Sequence, residues 1–168
     1  MKNHFELFGL TPAFALEAES LERCYREIQS QIHPDRYARA GDAERRASMQ
    51  WTTRVNEAYR TLKSPVQRAK YLLEMNGVDV QFETNTQMPA DFLLQQLELR
   101  EALDAAKTPE ALDRLQAQVR AQKVLLEQNI GRLVDAQKDY AAAAGDVRKL
   151  MFLDKVGAEV GLAYEGVE

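Results

Sequence analysis

The spacing of apolar residues predicts helices along almost the whole chain. Apolar positions recur every three or four residues from Leu21 to Ile32 and again from Ala47 to Leu62, as expected when one face of a helix is buried. A short apolar segment, His4 to Leu10, precedes them, and Ser64-Pro65 starts a further helix. Residues 1–76 therefore predict a helical hairpin with short flanking helices.

The second half of the chain predicts a separate helical bundle. Residues 77–89 are polar in the middle and have no helical period, which predicts a linker. Three apolar stripes follow, and they predict one helix from Asp91 to about Ala106, one of about seven turns after Thr108, and one over most of 144–162. Short connections make these three helices an antiparallel bundle in residues 90–168, so the predicted fold class is all-α.

Polar residues at the predicted helix starts supply the caps. Asp42, Ser64, Asp91 and Thr108 each stand at the start of an apolar period. A side-chain oxygen at that position accepts a backbone N–H that has no partner within the helix. Each of the four residues is therefore predicted to be an N-cap.

Composition supports this organisation and divides the chain by charge. The 168 residues contain 45% hydrophobic residues, 8 Gly and 5 Pro, which suits a packed helical protein. Residues 1–76 hold 12 basic and 10 acidic side chains, whereas residues 77–168 hold 10 and 16. This difference predicts two domains with different partners.

Several functional classes are disfavoured. There is no apolar run of membrane-spanning length and no secretory signal at the start, which predicts a cytoplasmic protein without a membrane partner. Cys24, His4 and His33 are too few for a zinc framework, so neither a metal nor a cofactor is expected. The sequence shows no phosphate-binding loop and no paired-carboxylate site, so an enzyme is not expected. The pI of 5.4 and the interspersed acids argue against a nucleic-acid partner.

The sequence His33-Pro34-Asp35 admits several interpretations. Proline stops a helix and aspartate favours turns, so the three residues predict at least a helix end. A catalytic pair is disfavoured because neighbouring side chains across a proline rarely reach hydrogen-bond geometry. Helical projection places Arg26 and His33 on one exposed face with Arg23 nearby, and Arg36 and Arg39 follow. This basic face would suit an acidic partner, or be solvated without one.

The order of these motifs resembles the J-domain family. The pattern Leu21-x3-Tyr25-x2-Ile28-x3-Ile32 precedes His33-Pro34-Asp35-Arg36, and a long helix then contains Asn56-Glu57-Ala58-Tyr59-x2-Leu62. Members are co-chaperones of DnaK-type chaperones, whose ATP hydrolysis they stimulate. The resemblance implies that the chaperone-binding residues are Arg23, Arg26, His33, Pro34, Asp35 and Arg36. Arg36 stands where many members carry lysine, which preserves charge but not hydrogen-bond geometry.

Other segments are similar to one branch of that family. The N-terminal HFELFGL, the segment ADFLLQQLELREALD and the later RKLMFLDK resemble HscB, the co-chaperone of iron-sulfur cluster biogenesis. The resemblance implies an HscA-like DnaK-type chaperone and an IscU-like iron-sulfur scaffold protein as partners. The alternatives are a general J-domain co-chaperone for unfolded polypeptides and a helical adaptor without an ATPase partner.

The first helix of the predicted bundle has two apolar faces. A core stripe combines Phe92, Gln96, Leu99 and Leu103, while Leu93, Leu94 and Leu97 form a second strip that points well away from it. Glu98, Glu101 and Asp104 flank the second strip. Periodicity alone does not decide whether this strip packs within the protein or is an exposed patch for a partner.

The resemblance to HscB favours the partner. It implies that the scaffold-binding residues are Leu93, Leu94, Leu97, Glu98, Glu101 and Phe152. Phe152 lies among four successive apolar residues, 150–153, which cannot all face one core, so its exposure is expected. Ala105 occupies a position where the family can have an acid, so part of the acidic rim is expected to be missing.

Overall fold

The regular elements are helical throughout the residues that the computed structural model describes, which are 2–80 and 88–167 without the side chain of Pro34. The α-helices are α1 (His4–Leu7), α2 (Ala18–Ile32), α3 (Asp42–Lys63), α4 (Pro65–Met75), α5 (Ala90–Ala105), α6 (Pro109–Gly131) and α7 (Tyr140–Ala163). Single 3₁₀ turns cover Pro34–Tyr37 and Tyr164–Gly166, and a π turn covers Arg132–Ala136. The predicted all-α class is confirmed.

The chain divides into two compact units, Met1–Leu72 and Leu73–Glu168, which we call the N-terminal unit and the C-terminal unit. The division falls inside α4. Beyond that helix, Val80 is fully buried, and its carbonyl accepts a hydrogen bond from Arg148 Nε of α7 at 2.6 Å. The central part of the predicted linker, 81–87, lies outside the described residues, so the boundaries 1–76, 77–89 and 90–168 stay a prediction.

The N-terminal unit contains the predicted helical hairpin. Helices α2 and α3 pack on each other, and α1 packs on α3. The rings of Tyr25 and Tyr59 stack with centroids 3.9 Å apart, and the Tyr25 hydroxyl donates to Asn56 Oδ1 at 2.6 Å. These contacts fix the two long helices side by side, because each joins a residue of α2 to one of α3.

A buried arginine that the sequence did not predict joins α4 to the end of α3 and to the segment between α1 and α2. Arg68 of α4 donates from Nε to the Phe14 carbonyl at 2.7 Å and from Nη1 to the Leu62 carbonyl at 2.6 Å. Its guanidinium also lies 5.0 Å from the centroid of the Phe14 ring. Burial of a cation is costly unless it is hydrogen-bonded, and these carbonyls supply that compensation.

The C-terminal unit is the predicted three-helix bundle, because α7 packs against both α5 and α6. Helices α6 and α7 meet at Gly157, where an added Cβ would lie in ordinary van der Waals contact, 3.8 Å from a Val119 methyl group. One cluster of its buried core consists of Phe92, Leu99, Ala106, Leu112, Leu115, Val119, Phe152, Leu153, Val156 and Val160.

Two of the predicted caps are confirmed. Ser64 Oγ accepts from the Gln67 N–H at 3.3 Å, and Thr108 Oγ1 accepts from the Ala111 N–H at 3.1 Å. Gly77 adopts a φ of +78°, a left-handed conformation that ends α4 without the steric cost of a Cβ.

The other two predicted caps are wrong. Helix α3 begins at Asp42 itself, with Gly41 as its N-cap, and the Asp42 carboxylate pairs with Arg45. Helix α5 begins before Asp91, with Pro89 as its N-cap. Both aspartates instead place a negative charge in the first helical turn, where it interacts favourably with the helix dipole.

Helix α7 starts earlier than the predicted 144. Asp139 Oδ1 accepts from the Ala142 N–H at 3.1 Å and caps the helix. Lys138 immediately before it has a φ of +55°, so the chain turns sharply between the π turn and α7. An aspartate cap therefore extends α7 across the alanine run, whose high helix propensity permits it.

Candidate functional sites

His33 occupies the junction between α2 and the 3₁₀ turn Pro34–Tyr37. Its Nδ1 accepts a hydrogen bond from the Asp35 backbone N–H at 3.2 Å, so the imidazole caps the turn. Since Nδ1 is the acceptor, the N–H of the neutral ring is on Nε2. Ser48 Oγ of α3 donates to the Ile32 carbonyl at 3.2 Å and ties the end of α2 to its neighbour.

The side chains of His33, Asp35 and Arg36 are exposed to solvent although the backbone here is fixed. Those of His33 and Asp35 are 57% and 92% exposed, and Asp35 Oδ2 lies 3.5 Å from His33 Nδ1. The interpretation as a helix end followed by a turn is confirmed. The same residues also present an imidazole and a carboxylate on a defined turn, which is a geometry that a protein partner can recognise.

The predicted basic face is exposed, but its charges have neighbours within α2. Arg26 donates to Glu22 Oε1 from Nη2 at 2.8 Å and from Nε at 3.2 Å, and Arg23 Nη2 donates to Ser20 Oγ at 3.2 Å. The hydrogen bonds that Arg26 donates to Glu22, together with the negative charge of that carboxylate, raise the pKa of Arg26. Arg36 is exposed on the turn. An acidic partner group would therefore compete with Glu22 for Arg26.

A groove beside the turn is a feature that the sequence did not predict. It has a volume of about 360 Å³ and is lined by Tyr37, Arg45, Ser48, Met49, Thr52 and Thr53. Tyr37 closes the 3₁₀ turn, and Met49 of α3 is exposed. Met49 does not belong to the apolar stripe that α3 buries. An apolar residue outside that stripe was the only sign of the groove in the sequence.

The second apolar strip of α5 is exposed. Leu93, Leu94 and Leu97 are 46%, 57% and 56% exposed, whereas Phe92 and Leu99 on the opposite face are buried. The flanking acids Glu98, Glu101 and Asp104 are exposed as well, as is Ala105. The strip therefore does not belong to the core of the three-helix bundle, and α5 presents leucines bordered by carboxylates to solvent.

The expected exposure of Phe152 is wrong. This residue is only 7% exposed and belongs to the core of the C-terminal unit, where its ring meets that of Phe92 edge to face at 5.8 Å. The physical reason is that α7 packs against two helices rather than one, so residues on more than one of its faces are buried. Leu150 and Leu153 are fully buried beside it.

Arg100 connects this core to the surface and was not predicted. Its guanidinium lies 5.5 Å from the centroid of the Phe152 ring and forms an ion pair with Glu159 of α7. Arg100 is seven residues from Leu93 and three from Leu97, so it shares a side of α5 with both leucines. It thus braces that side of the strip against α7.

Two other kinds of site are absent from the part of the chain that the structure describes. Among the described residues, no helix is long and apolar enough to cross a membrane. Within residues 2–80 and 88–167 there is also no group of three or more His, Cys, Asp or Glu side chains that is arranged to hold a metal ion.

Comparisons with known proteins agree with this architecture. Residues 88–161 match the family model described as the HSCB C-terminal oligomerisation domain. The chain is 49% identical to the co-chaperone protein HscB homolog of Burkholderia vietnamiensis over 99% of this chain and 96% of that protein. The solved structure of the chaperone HscB from Vibrio cholerae has a TM-score of 0.87 and 34% identity, covering 99% of this chain and 100% of that one. Human co-chaperone protein HscB has a TM-score of 0.92 and 25% identity, covering 96% and 82%.

The helical hairpin with its His-Pro-Asp turn, followed by a helical bundle, defines a J-domain protein with a C-terminal helical domain. At this identity and coverage, the chain belongs to the HscB co-chaperone family. The Burkholderia vietnamiensis and human relatives are named co-chaperones, a class that acts on a chaperone rather than catalysing a reaction of its own.

Proposed function

We propose that this protein stimulates ATP hydrolysis by an HscA-like DnaK-type chaperone and delivers an IscU-like iron-sulfur scaffold protein to it in the cytoplasm. The observation that carries the proposal is that an exposed His-Pro-Asp turn and an exposed leucine strip lie in different units of one chain. A protein of this design can hold a chaperone and a client at the same time.

The chaperone contacts are assigned to Arg23, Arg26, His33, Pro34, Asp35 and Arg36. Two properties support this assignment: the backbone around the turn is fixed by the His33 cap and by the Ser48 bond, and the side chains of His33, Asp35 and Arg36 are exposed. A fixed turn loses little conformational entropy on binding. The arginines attract an acidic chaperone surface, which speeds the encounter.

The scaffold contacts are assigned to Leu93, Leu94, Leu97, Glu98 and Glu101. Exposed leucines bordered by carboxylates have the composition of a binding patch with an apolar centre and a polar rim. The rim favours a partner with basic residues around an apolar patch. Ala105 leaves the rim without a carboxylate at its end.

Phe152 is assigned a supporting role in the same site. Because its ring is buried against Phe92 and under the Arg100 guanidinium, it contributes by fixing α5 on α7 and not by offering a large exposed surface. Loss of the ring would shift the helix that carries the leucines.

Affinity capture from cell extract tests the proposal. The immobilised full-length protein is expected to retain one dedicated DnaK-type chaperone and one iron-sulfur scaffold protein, both identified by mass spectrometry. A broad set of unfolded clients would instead indicate a general J-domain co-chaperone, and absence of any chaperone would indicate an adaptor. His33→Gln and Leu94→Ala/Leu97→Ala proteins serve as matched controls, since each is expected to lose a different partner.

We also infer that the C-terminal unit associates with a second copy of itself. The support is the description of the matched family model, which names oligomerisation for residues that correspond to 88–161. Sedimentation of the purified chain over a range of concentrations tests this inference, and a single monomeric species throughout would overturn it.

A further inference from the structure

One face of α6 is exposed and uncharged over three turns. Ala117, Ala121, Val124 and Gln128 recur at alternating steps of four and three residues, and all are exposed. Val124 is 49% exposed, and the neighbouring Leu125 is 66% exposed. This spacing is that of the contact stripe of a two-helix coiled coil. The buried core residue Val119 lies on the opposite side of the helix, so the stripe points away from the bundle.

We propose that a second copy of this chain packs antiparallel across this face of α6, about a two-fold axis between Gln122 and Lys123. The proposal rests on the self-association inferred above and names its surface. Under this symmetry, Ala121 of each copy faces Val124 of the second copy. Ala117 likewise faces Gln128 of the second copy. Each small side chain therefore meets a larger one, which is the complementarity that a symmetric helix pair needs.

The charges beside the stripe select the antiparallel arrangement. Arg120 and Glu127 occupy equivalent flanking positions one heptad apart, and Arg120 is exposed while Glu127 is half-buried. In an antiparallel pair, such positions face each other across the interface, so Arg120 of one copy faces Glu127 of the other, twice by symmetry. A parallel pair would place Arg120 opposite Leu125 instead. Charge complementarity thus favours a second copy in this orientation.

The size of the face predicts a weak dimer. Residues 117–128 span about 18 Å of helix. One helix pair of this length buries much less than the roughly 1,200 Å² of a standard stable interface. The monomer and the dimer are therefore expected to exchange with concentration.

Analytical ultracentrifugation of the full-length protein, from about 10 µM to about 1 mM, tests the surface. Arg120→Glu and Glu127→Arg are each expected to weaken dimerisation about tenfold, since two attractive pairs become repulsive. The double variant Arg120→Glu/Glu127→Arg restores wild-type dimerisation. An equimolar mixture of the two single variants also forms a heterodimer, because each then supplies the charge that the other needs.

Circular dichroism confirms folding of every variant, and Leu94→Glu on α5 serves as a control that leaves dimerisation unchanged. If the wild type dimerises but the charge reversals do not weaken dimerisation, the exposed face of α6 is not the interface, although the chain still self-associates. A monomeric wild type over the whole range overturns both. If Arg120→Glu instead weakens scaffold binding of a monomeric wild type, the face belongs to a different protein and the proposal is overturned.

Discussion

The two units of this chain present different kinds of surface to their proposed partners. In the N-terminal unit, a short polar turn carries an imidazole, a carboxylate and nearby guanidinium groups, all substantially exposed. In the C-terminal unit, a regular helix carries three exposed leucines with carboxylates beside them. Both surfaces are backed by well-packed helices, but the first offers charge and hydrogen bonds and the second offers apolar area.

This difference determines how each contact should respond to conditions. Interactions among exposed charges act mainly on the rate of encounter and are screened over about 8 Å at physiological ionic strength. Burial of apolar side chains is nearly independent of moderate salt and depends on a few well-placed residues. Added salt and charge reversal therefore test the contact of the N-terminal unit with its partner. Side-chain truncation tests the contact of the C-terminal unit.

The largest expected effect is on the stability of the C-terminal unit. Phe152→Ala removes a buried ring and should lower the free energy of unfolding by about 3–5 kcal/mol, measured by chemical denaturation. Phe152→Leu keeps most of the volume and should cost much less. A loss below about 1 kcal/mol for the alanine variant would contradict the burial of this ring and support the exposure that the sequence predicted for it.

Next comes a loss of scaffold binding without a loss of stability. Leu94→Ala/Leu97→Ala should weaken scaffold binding by about 2–4 kcal/mol if these leucines are hot spots, measured by calorimetric titration. The melting temperature should barely change, because both side chains are more than half exposed. Leu99→Ala, on the buried face of the same helix, is the matched control. It should lower the melting temperature and weaken scaffold binding much less. Normal scaffold binding by the double variant would show that the strip is not part of the scaffold-binding site.

The exposure of the strip on α5 was predicted correctly and that of Phe152 was not, and the reason is geometric. Helical periodicity tells which residues share a face and so separated the two apolar faces of α5, while the resemblance to HscB favoured the exposure that the second face shows. It does not tell how many neighbours a helix has. Helix α7 contacts both α5 and α6, so residues that point in different directions are all buried.

The same limit applies to polar residues. Ser64 and Thr108 were predicted as caps because their role depends only on residues close in sequence. Arg68 binds carbonyl groups six and 54 residues away, which no local pattern reveals. The His33 turn was recognised from its tripeptide and its context, whereas its fixation by Ser48 depends on how α2 packs against α3.

A smaller effect is expected from reversal of charge on the N-terminal unit. Arg26→Glu should weaken the chaperone encounter severalfold, because it places a second negative charge beside Glu22. Added salt should weaken the same encounter for the wild type, and scaffold binding should change less. Stopped-flow association rates at several salt concentrations measure both. If the association rates with the chaperone and with the scaffold depended equally on salt, the proposed difference between the two units would be contradicted.

The smallest effect concerns pH and is confined to the N-terminal unit. Burial lowers the pKa of His4, an effect that nearby Arg54 reinforces and Glu57 opposes. The His4 ring stacks on Tyr71 with centroids 4.3 Å apart. The unfolded chain therefore takes up a proton at a higher pH than the folded one. The free energy of unfolding should be unaffected at pH values above 6.5, the pKa of His4 in the unfolded chain. It should fall slightly as the pH drops from 6.5 toward the lowered pKa of His4 in the folded protein.

Denaturation of wild type and His4→Phe across this pH range measures the His4 effect. The phenylalanine ring keeps the aromatic contact but does not titrate, so the variant should lack this part of the pH dependence. Identical pH profiles for the two proteins would show that His4 does not contribute.

The central claim is that the exposed turn acts on the chaperone while the leucine strip holds the client. Single-turnover ATP hydrolysis by the purified DnaK-type chaperone, measured with wild-type and His33→Gln proteins, tests it most directly. The His33→Gln protein should give the unstimulated rate while it keeps wild-type helicity and scaffold affinity, because His33 is exposed and lies in the other unit. Full stimulation by this variant, or loss of its helical structure, would contradict the claim.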